Sequence, residues 1–253
     1  MRRVLDALDA NLYALTHRGN AGDVEHYVRL CQGAVSVLEL GAGYGRVSCA
    51  LVTAERTLWG LELDRSLLEL GREAIAQLPL RLRRQVTLLQ GDMRSFALPR
   101  AFERVVLPYN ALFCLLSLRD VEKCFRAVRA ALEPGGLFAF DVWNADRAHA
   151  EGLSPERDDA ELVRFDHDGR TWSVSERCRR ARAPQRLDVT YTYTPDGRGR
   201  ARSQVVRQRY YSSAELFSLL ADCGFAVATR LGSFSGSRFS ERAARLIVTA
   251  RAR

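Results

Sequence analysis

Apolar residues recur at helical spacing over the first thirty positions, then give way to short apolar runs separated by helical stretches. Val4, Leu5, Leu8, Leu12 and Leu15 share one helical face, as do Val24, Tyr27, Val28 and Cys31 after a break at residues 19–22. Residues 35–40, 57–62, 86–90, 104–107 and 137–142 read as strands. A helical stretch follows the first of them to about residue 53. Asp64 is placed to cap a helix carrying Leu67, Leu68, Leu70 and Ile75. Asp120 is placed to cap a helix over 121–132, which Pro134-Gly135-Gly136 would terminate. Alternating strands and helices require right-handed crossovers and a mostly parallel sheet covered on both faces.

From residue 160 the period changes to two. Residues 161–167 and 170–178 flank Asp168-Gly169, a strong hairpin signal. Leu187, Val189, Tyr191 and Tyr193 then alternate with Asp188, Thr190 and Thr192, and Asp196-Gly197 precedes a further strand over 203–211. Helical spacing returns at Ser212-Ser213-Ala214-Glu215, a capping box opening residues 216–223, and 225–230 and 245–250 supply the last two strands. The expected fold is α/β: a doubly wound, seven-stranded, mostly parallel sheet with an inserted four-stranded antiparallel sheet. Residues 1–33 form a helical segment, 34–150 with 212–253 the α/β domain, and 151–211 the insert.

The 253 residues are 47% hydrophobic and 27% charged, a globular composition that excludes disorder and a pure coiled coil. Asp6 and Asp9 stand where a signal peptide needs an apolar run. The longest apolar stretch, 105–118, is broken by Pro108, Asn110 and Ser117 and is shorter than the roughly 18 residues of a spanning helix. A cytoplasmic chain without membrane contact is expected. Cysteines 31, 49, 114, 124, 178 and 223 contain no CxxC pair, so neither a metal site nor a disulfide framework is expected.

The formal net charge of +8 raises nucleic acid or an anionic partner. Only Lys123 among the 38 basic residues is lysine, the usage of a GC-rich genome. Ten arginines against Asp188 and Asp196 between residues 177 and 209 carry the whole excess. The basic character therefore belongs to the insert, as a solvated outer face or an acceptor or subunit contact, and nucleic acid is an unlikely partner.

The chemistry concentrates at Val37-Leu38-Glu39-Leu40-Gly41-Ala42-Gly43-Tyr44-Gly45-Arg46-Val47, a strand running into alternate glycines and then a helix. Such glycines permit positive φ and let a ligand lie against backbone at a helix N-terminus. The third glycine of the dinucleotide fingerprint is replaced by Arg46, which argues against a nicotinamide dehydrogenase. Glu62 ends the second strand, where an acid accepts from both ribose hydroxyls. Gly91-Asp92-Met93 follows the third, offering a carboxylate to an amino group and a thioether to an adenine face.

This ordered set resembles the class I S-adenosylmethionine-dependent methyltransferases. Residues 60–73, 90–96, 107–116 and 132–144, with the four-strand insert, are similar to the bacterial small-molecule branch related to glycine and aminosugar N-methyltransferases. The resemblance implies S-adenosylmethionine as cofactor, with S-adenosylhomocysteine as product. It places Glu39, Gly41, Ala42, Gly43 and Gly45 at the methionine part, Arg46 near the cofactor carboxylate, Glu62 at the ribose, and Leu63, Asp92 and Met93 at the adenine. Leu107 adjoins the cofactor, and Tyr13 and Tyr27 stand in helices that close over it. Tyr44 departs from the commoner threonine. The insert resembles a lid or dimerisation sheet, giving a possible homodimer.

For the acceptor, methyl transfer to a neutral amine needs mainly alignment and exclusion of water, whereas a hydroxyl or ammonium needs a base. Tyr109 and Asn110 follow the fourth strand, where the methyl should point, and His149 follows Asp141-Val142-Trp143-Asn144; these three are the candidate catalytic residues. Tyr27, Phe113, Trp143, Arg209 and Tyr211 are the candidate acceptor-pocket residues. The expected activity is methylation of a small molecule, on nitrogen before oxygen. An O-methyltransferase of a natural product, an RNA- or peptide-modifying enzyme and a non-catalytic cofactor-binding subunit remain open.

Overall fold

The computed structural model describes residues 5–150 and 156–253. Two helices open it: α1 (Ala7–Thr16), capped by Asp6, and α2 (Asp23–Leu30), which starts after a left-handed Gly22. The α/β unit then runs β1 (Ser36–Leu40), α3 (Arg46–Leu51), β2 (Thr57–Glu62), α4 (Arg65–Ala76), a short α5 (Leu80–Arg83), β3 (Val86–Gln90), β4 (Phe102–Leu107), α6 (Leu118–Ala131), β5 (Leu132–Trp143) and α7 (Ala145–Ala150). Strands β6 (Arg157–His167), β7 (Arg170–Arg180), β8 (Arg186–Pro195) and β9 (Arg202–Arg209) follow. The chain closes with α8 (Ser213–Asp222), β10 (Phe225–Leu231) and β11 (Arg245–Ala252).

The larger sheet has the order β10-β11-β5-β4-β1-β2-β3, and only β11 runs against the rest. β1 is buried along its whole length because helices cover both faces. The chain moves outward from β1 to β3 and then returns to β4 on the other side of β1. The carboxyl ends of β1 and β4 therefore border the crevice in which such sheets bind ligands.

Asp64 caps α4 as expected, accepting from the Ser66 and Leu67 N–H groups, and Ser212 and Glu215 form the capping box of α8. Two expectations are corrected. The cap of α6 is Ser117, whose hydroxyl accepts the Asp120 N–H at 3.1 Å; Asp120 sits one turn inside and accepts from that hydroxyl at 2.8 Å. Pro134-Gly135-Gly136 does not terminate the helix, which ends at Ala131. It lies in the first part of β5, where the register with β4 shifts between Phe102 and Arg104 and Gly135 takes φ +75°.

The insert is a four-stranded antiparallel sheet of order β6-β7-β8-β9. Asp168 and Gly169 both have positive φ, the geometry that turns a two-residue hairpin. Its inner face carries Phe165, Trp172, Val174, Cys178, Leu187, Val189, Tyr191 and Tyr193, all buried and continuous with the main core. That face lies on α1, where Gln204 Nε2 donates to the Asp9 carbonyl at 2.8 Å. Among the described residues no helix is long and apolar enough to cross a membrane, and the six cysteines are free thiols.

Candidate active site

The turn after β1 is built by Gly41, Gly43 and Gly45 at φ +65°, +54° and +83°. Gly45 has a second reason to lack a side chain: a Cβ there would come within 3.3 Å of the Gly71 Cα on α4. The helix–helix approach that a third fingerprint glycine usually supplies is thus supplied by the Gly45–Gly71 pair. Ala42, 5% exposed, donates its N–H to the Leu61 carbonyl and ties the turn to β2.

Glu62 buttresses the same turn. One of its oxygens accepts the Gly43 N–H at 2.9 Å and the other the Asp64 N–H at 2.8 Å. A carboxylate accepts up to about four hydrogen bonds, and an acid at this strand end fits the ribose of the expected cofactor. Leu63 presents 42% of its surface beside it, and Met93 is half-buried nearby in sequence to Asp92. The Arg94 guanidinium grips Asp92 through both oxygens and holds its carboxyl below the usual carboxylate range. Glu39 is held inside the fold beneath the glycine turn. It is 2% exposed, takes the Ser48 hydroxyl at 2.5 Å, and burial pushes its carboxyl up to about 8.

Arg46 makes a bidentate pair with the buried Asp23 of α2, with both N–O distances 2.8 Å. A Cβ on Gly19 would fall 2.3 Å from its guanidinium, so Gly19 is what lets the loop before α2 pass over it. Above this pair stands Tyr109, its ring 5.7 Å from the Arg46 guanidinium carbon.

Tyr109 and Asn110 are consecutive non-glycine residues at φ +59° and +57°, a conformation that persists only when the surroundings over-determine it. Asp141, fully buried on β5, does this: its side chain accepts the Tyr109 N–H at 2.8 Å and its carbonyl the Asn110 N–H at 3.0 Å. The Asn110 side-chain oxygen is itself engaged, accepting from the Trp143 N–H at 2.7 Å and Arg245 Nη2 at 3.1 Å. Asn110 thus builds the loop, while the Tyr109 ring is the half-buried surface presented to the crevice.

Three of the expected pocket residues lie in the core. Tyr27, Phe113 and Tyr211 are at most 1% exposed. Tyr27 donates to Asp141 at 2.7 Å, Tyr211 donates to the Leu115 carbonyl at 2.5 Å, and Phe113 packs between Trp143 and Tyr211. They are core pillars beneath the crevice. Leu107 is likewise buried under Gly41, 4.0 Å from where a Cβ would be. Trp143 remains half-buried against Tyr210, and Arg209 bonds Gln185 and lies over the Tyr211 ring. The His149 side chain lies outside the described residues.

The structure adds His17, the residue that closes α1. It stacks on Tyr13 at 3.9 Å and meets Tyr191 of the insert edge-on at 4.6 Å and Tyr109 at 6.3 Å. Its Nδ1 lies 2.9 Å from the Tyr13 carbonyl, which can only accept, so Nδ1 carries the proton and Nε2 the lone pair. Burial lowers its pKa to about 4 and keeps it neutral. Its spacing from Tyr13, four residues on one helix, was the available signal.

Comparison with known proteins bears on the domain that holds this crevice. A family model described as a methyltransferase domain matches residues 37–136, from the middle of β1 to the start of β5. The chain is 28% identical to the Streptomyces venezuelae dTDP-3-amino-3,4,6-trideoxy-α-D-glucopyranose N,N-dimethyltransferase, over 87% of this chain and 86% of that one. Among solved structures it is similar to the CcbJ methyltransferase of Streptomyces caelestis (26% identity, 91% and 89% of the two chains, TM-score 0.76). It is also similar to the glycopeptide N-methyltransferase MtfA complexed with S-adenosylmethionine (25% identity, 93% and 95%, TM-score 0.63). With the glycine turn, the acid at the end of β2 and the strand order in place, the chain carries a methyltransferase domain over residues 37–136 and is similar to methyltransferases over about nine-tenths of its length.

Proposed function

We propose that this enzyme methylates the amine nitrogen of a small, sugar-like acceptor. The observation that carries this reading is the cover over Tyr109, where the inner face of the insert packs on α1 and Tyr13, His17 and Tyr191 gather beside the Tyr109 ring. An aromatic cover of this kind suits a small molecule and would exclude water, which is most of what alkylation of a neutral amine asks of a protein. The amino-sugar and N-methyltransferase relatives support it, because the similarity extends over the insert as well as the cofactor domain.

S-adenosylmethionine supplies an electrophilic methyl group. The Gly41–Gly45 turn, Glu62, Leu63, Asp92 and Met93 are the residues proposed to hold it. Arg46 stays committed to Asp23 and positions Tyr109. The outer face of the insert, with Val205 at 53% and Leu162 at 50% exposure, is the surface proposed for a homodimer, and six free thiols suit a reducing cytoplasm. The test is isothermal titration with S-adenosylmethionine and S-adenosylhomocysteine, followed by transfer of labelled methyl to amine and hydroxyl acceptors. Transfer confined to hydroxyl oxygen overturns the nitrogen assignment; no cofactor binding overturns the whole reading.

A further inference from the structure

The cover over the crevice holds a half-buried carboxylate, Glu176, with no cation closer than 4.0 Å among the described residues. The inward row of β7 is Trp172, Val174, Glu176 and Cys178. Its three other members are at most 6% exposed, and Glu176 shows 22% of its side chain. A charged group in such a row costs free energy unless something pairs with it. The cation near it is Arg157, which is 75% exposed and only reaches 4.0 Å, a loose surface contact.

What faces Glu176 is aromatic. Tyr191 is its register partner on β8, and burial together with the Glu176 charge pushes the Tyr191 phenol up; Tyr109 stands on the rim of the crevice. His17 links the two tyrosines through its edge contacts, with Tyr13 stacked behind it. These side chains come from α1, the loop after β4, β7 and β8, and converge only in the folded chain. Electron-rich ring faces with one carboxylate form a receptor for an organic ammonium and offer an alcohol no charge to pair with.

We propose that Glu176, with Tyr109 and Tyr191, is the ammonium-recognition site of the acceptor: the acceptor docks as its ammonium, gives one proton to the Glu176 carboxylate, and the neutral nitrogen so formed presents its lone pair for methylation. The inference rests on the amine reading above and adds the residue that enforces it. His17 contributes a neutral acceptor nitrogen beside the same space.

The experiment is isothermal titration of enzyme loaded with S-adenosylhomocysteine. The probes are dTDP-3-amino-3,4,6-trideoxy-α-D-glucopyranose, the sugar in the relative's name, a panel of primary and secondary amines, and the hydroxyl counterpart of each. Wild type is expected to bind amines about tenfold or more tighter than their hydroxyl counterparts, the strength of a charge-assisted contact. Glu176→Gln is expected to bind the two within about twofold while keeping its affinity for S-adenosylhomocysteine. Glu176→Asp, which keeps the charge, is expected to retain the preference. An unchanged preference in Glu176→Gln, or a Glu176→Asp that behaves like Glu176→Gln, overturns the proposal alone. Wild type that binds and methylates no amine overturns the amine reading and the proposal with it.

Discussion

Arg245 on β11 and Asp141 on the neighbouring β5 form one organising pair at the top of the sheet. Arg245 Nη2 donates to one Asp141 oxygen at 2.6 Å, while the other accepts the Tyr27 hydroxyl at 2.7 Å and the Tyr109 N–H at 2.8 Å. A single buried carboxylate thereby fixes α2, the left-handed loop after β4 and the start of β11.

Removing it leaves a largely buried guanidinium and a buried phenol without their acceptor. Asp141→Ala is expected to lower unfolding stability by about 3–5 kcal/mol, the range for breaking a buried ion pair from one side. Urea denaturation at neutral pH measures this, and a loss below about 1 kcal/mol would mean that Tyr27, Tyr109 and Arg245 are held by other contacts.

Stability should respond to pH with two opposed slopes. The folded pKa of His17 falls from 6.5 to about 4, so between these values the unfolded chain binds the extra proton and stability rises with pH. The folded pKa of Glu39 rises from 4.5 to about 8, so over that range the folded chain binds the extra proton and stability falls as pH rises. Below pH 6.5 the two offset; between 6.5 and 8 the Glu39 effect stands alone. Thermal melts should therefore decline from pH 6.5 to 8 in wild type and flatten in Glu39→Gln, whose amide does not titrate. A wild-type curve that climbs through this window would place the Glu39 carboxyl in its ordinary ionised state.

Glu62 serves both the glycine turn and the proposed ribose contact. Glu62→Ala is expected to weaken S-adenosylhomocysteine binding by about 1–3 kcal/mol, roughly 5- to 150-fold, through loss of charge-assisted hydrogen bonds. Calorimetric titration reads the change, with far-ultraviolet circular dichroism as the folding control. Unchanged affinity would remove Glu62 from the ribose site.

The cover is fastened from outside by Arg202 on β9, which pairs with Asp9 at 2.5 Å and with Asp6 at the cap of α1. Arg202 is about one-third exposed, so solvent screens the pair. Arg202→Ala is expected to cost only about 0.5–1 kcal/mol of global stability. Its larger effect should be local: hydrogen exchange across α1 speeds up while the exchange of β1 and β4 amides stays the same. Uniform acceleration throughout the chain would instead make the clasp part of the global core.

The glycine turn, the acid at the end of β2 and the alternation of elements were legible because each is written locally: positive φ requires glycine, and a strand end places the next acid. Asp64 and the Ser212–Glu215 box were legible for the same reason. Ser117 was missed because Asp120 imitates a cap three residues downstream, and choosing between them depends on where the chain leaves its extended conformation.

What the sequence by itself determined is the order of strands and helices, the hairpin turn at Asp168-Gly169 and the glycine turn after β1, all consequences of hydrophobic period and short-range geometry. Only the tertiary structure decided which aromatic residues the crevice can reach. Tyr27, Phe113 and Tyr211 share the composition of pocket residues, yet packing between the sheet and its covering elements buries them completely. His17, Tyr109, Glu176 and Tyr191 come together across more than 170 residues of sequence. No local pattern encodes that meeting, because it depends on how the insert folds back over α1.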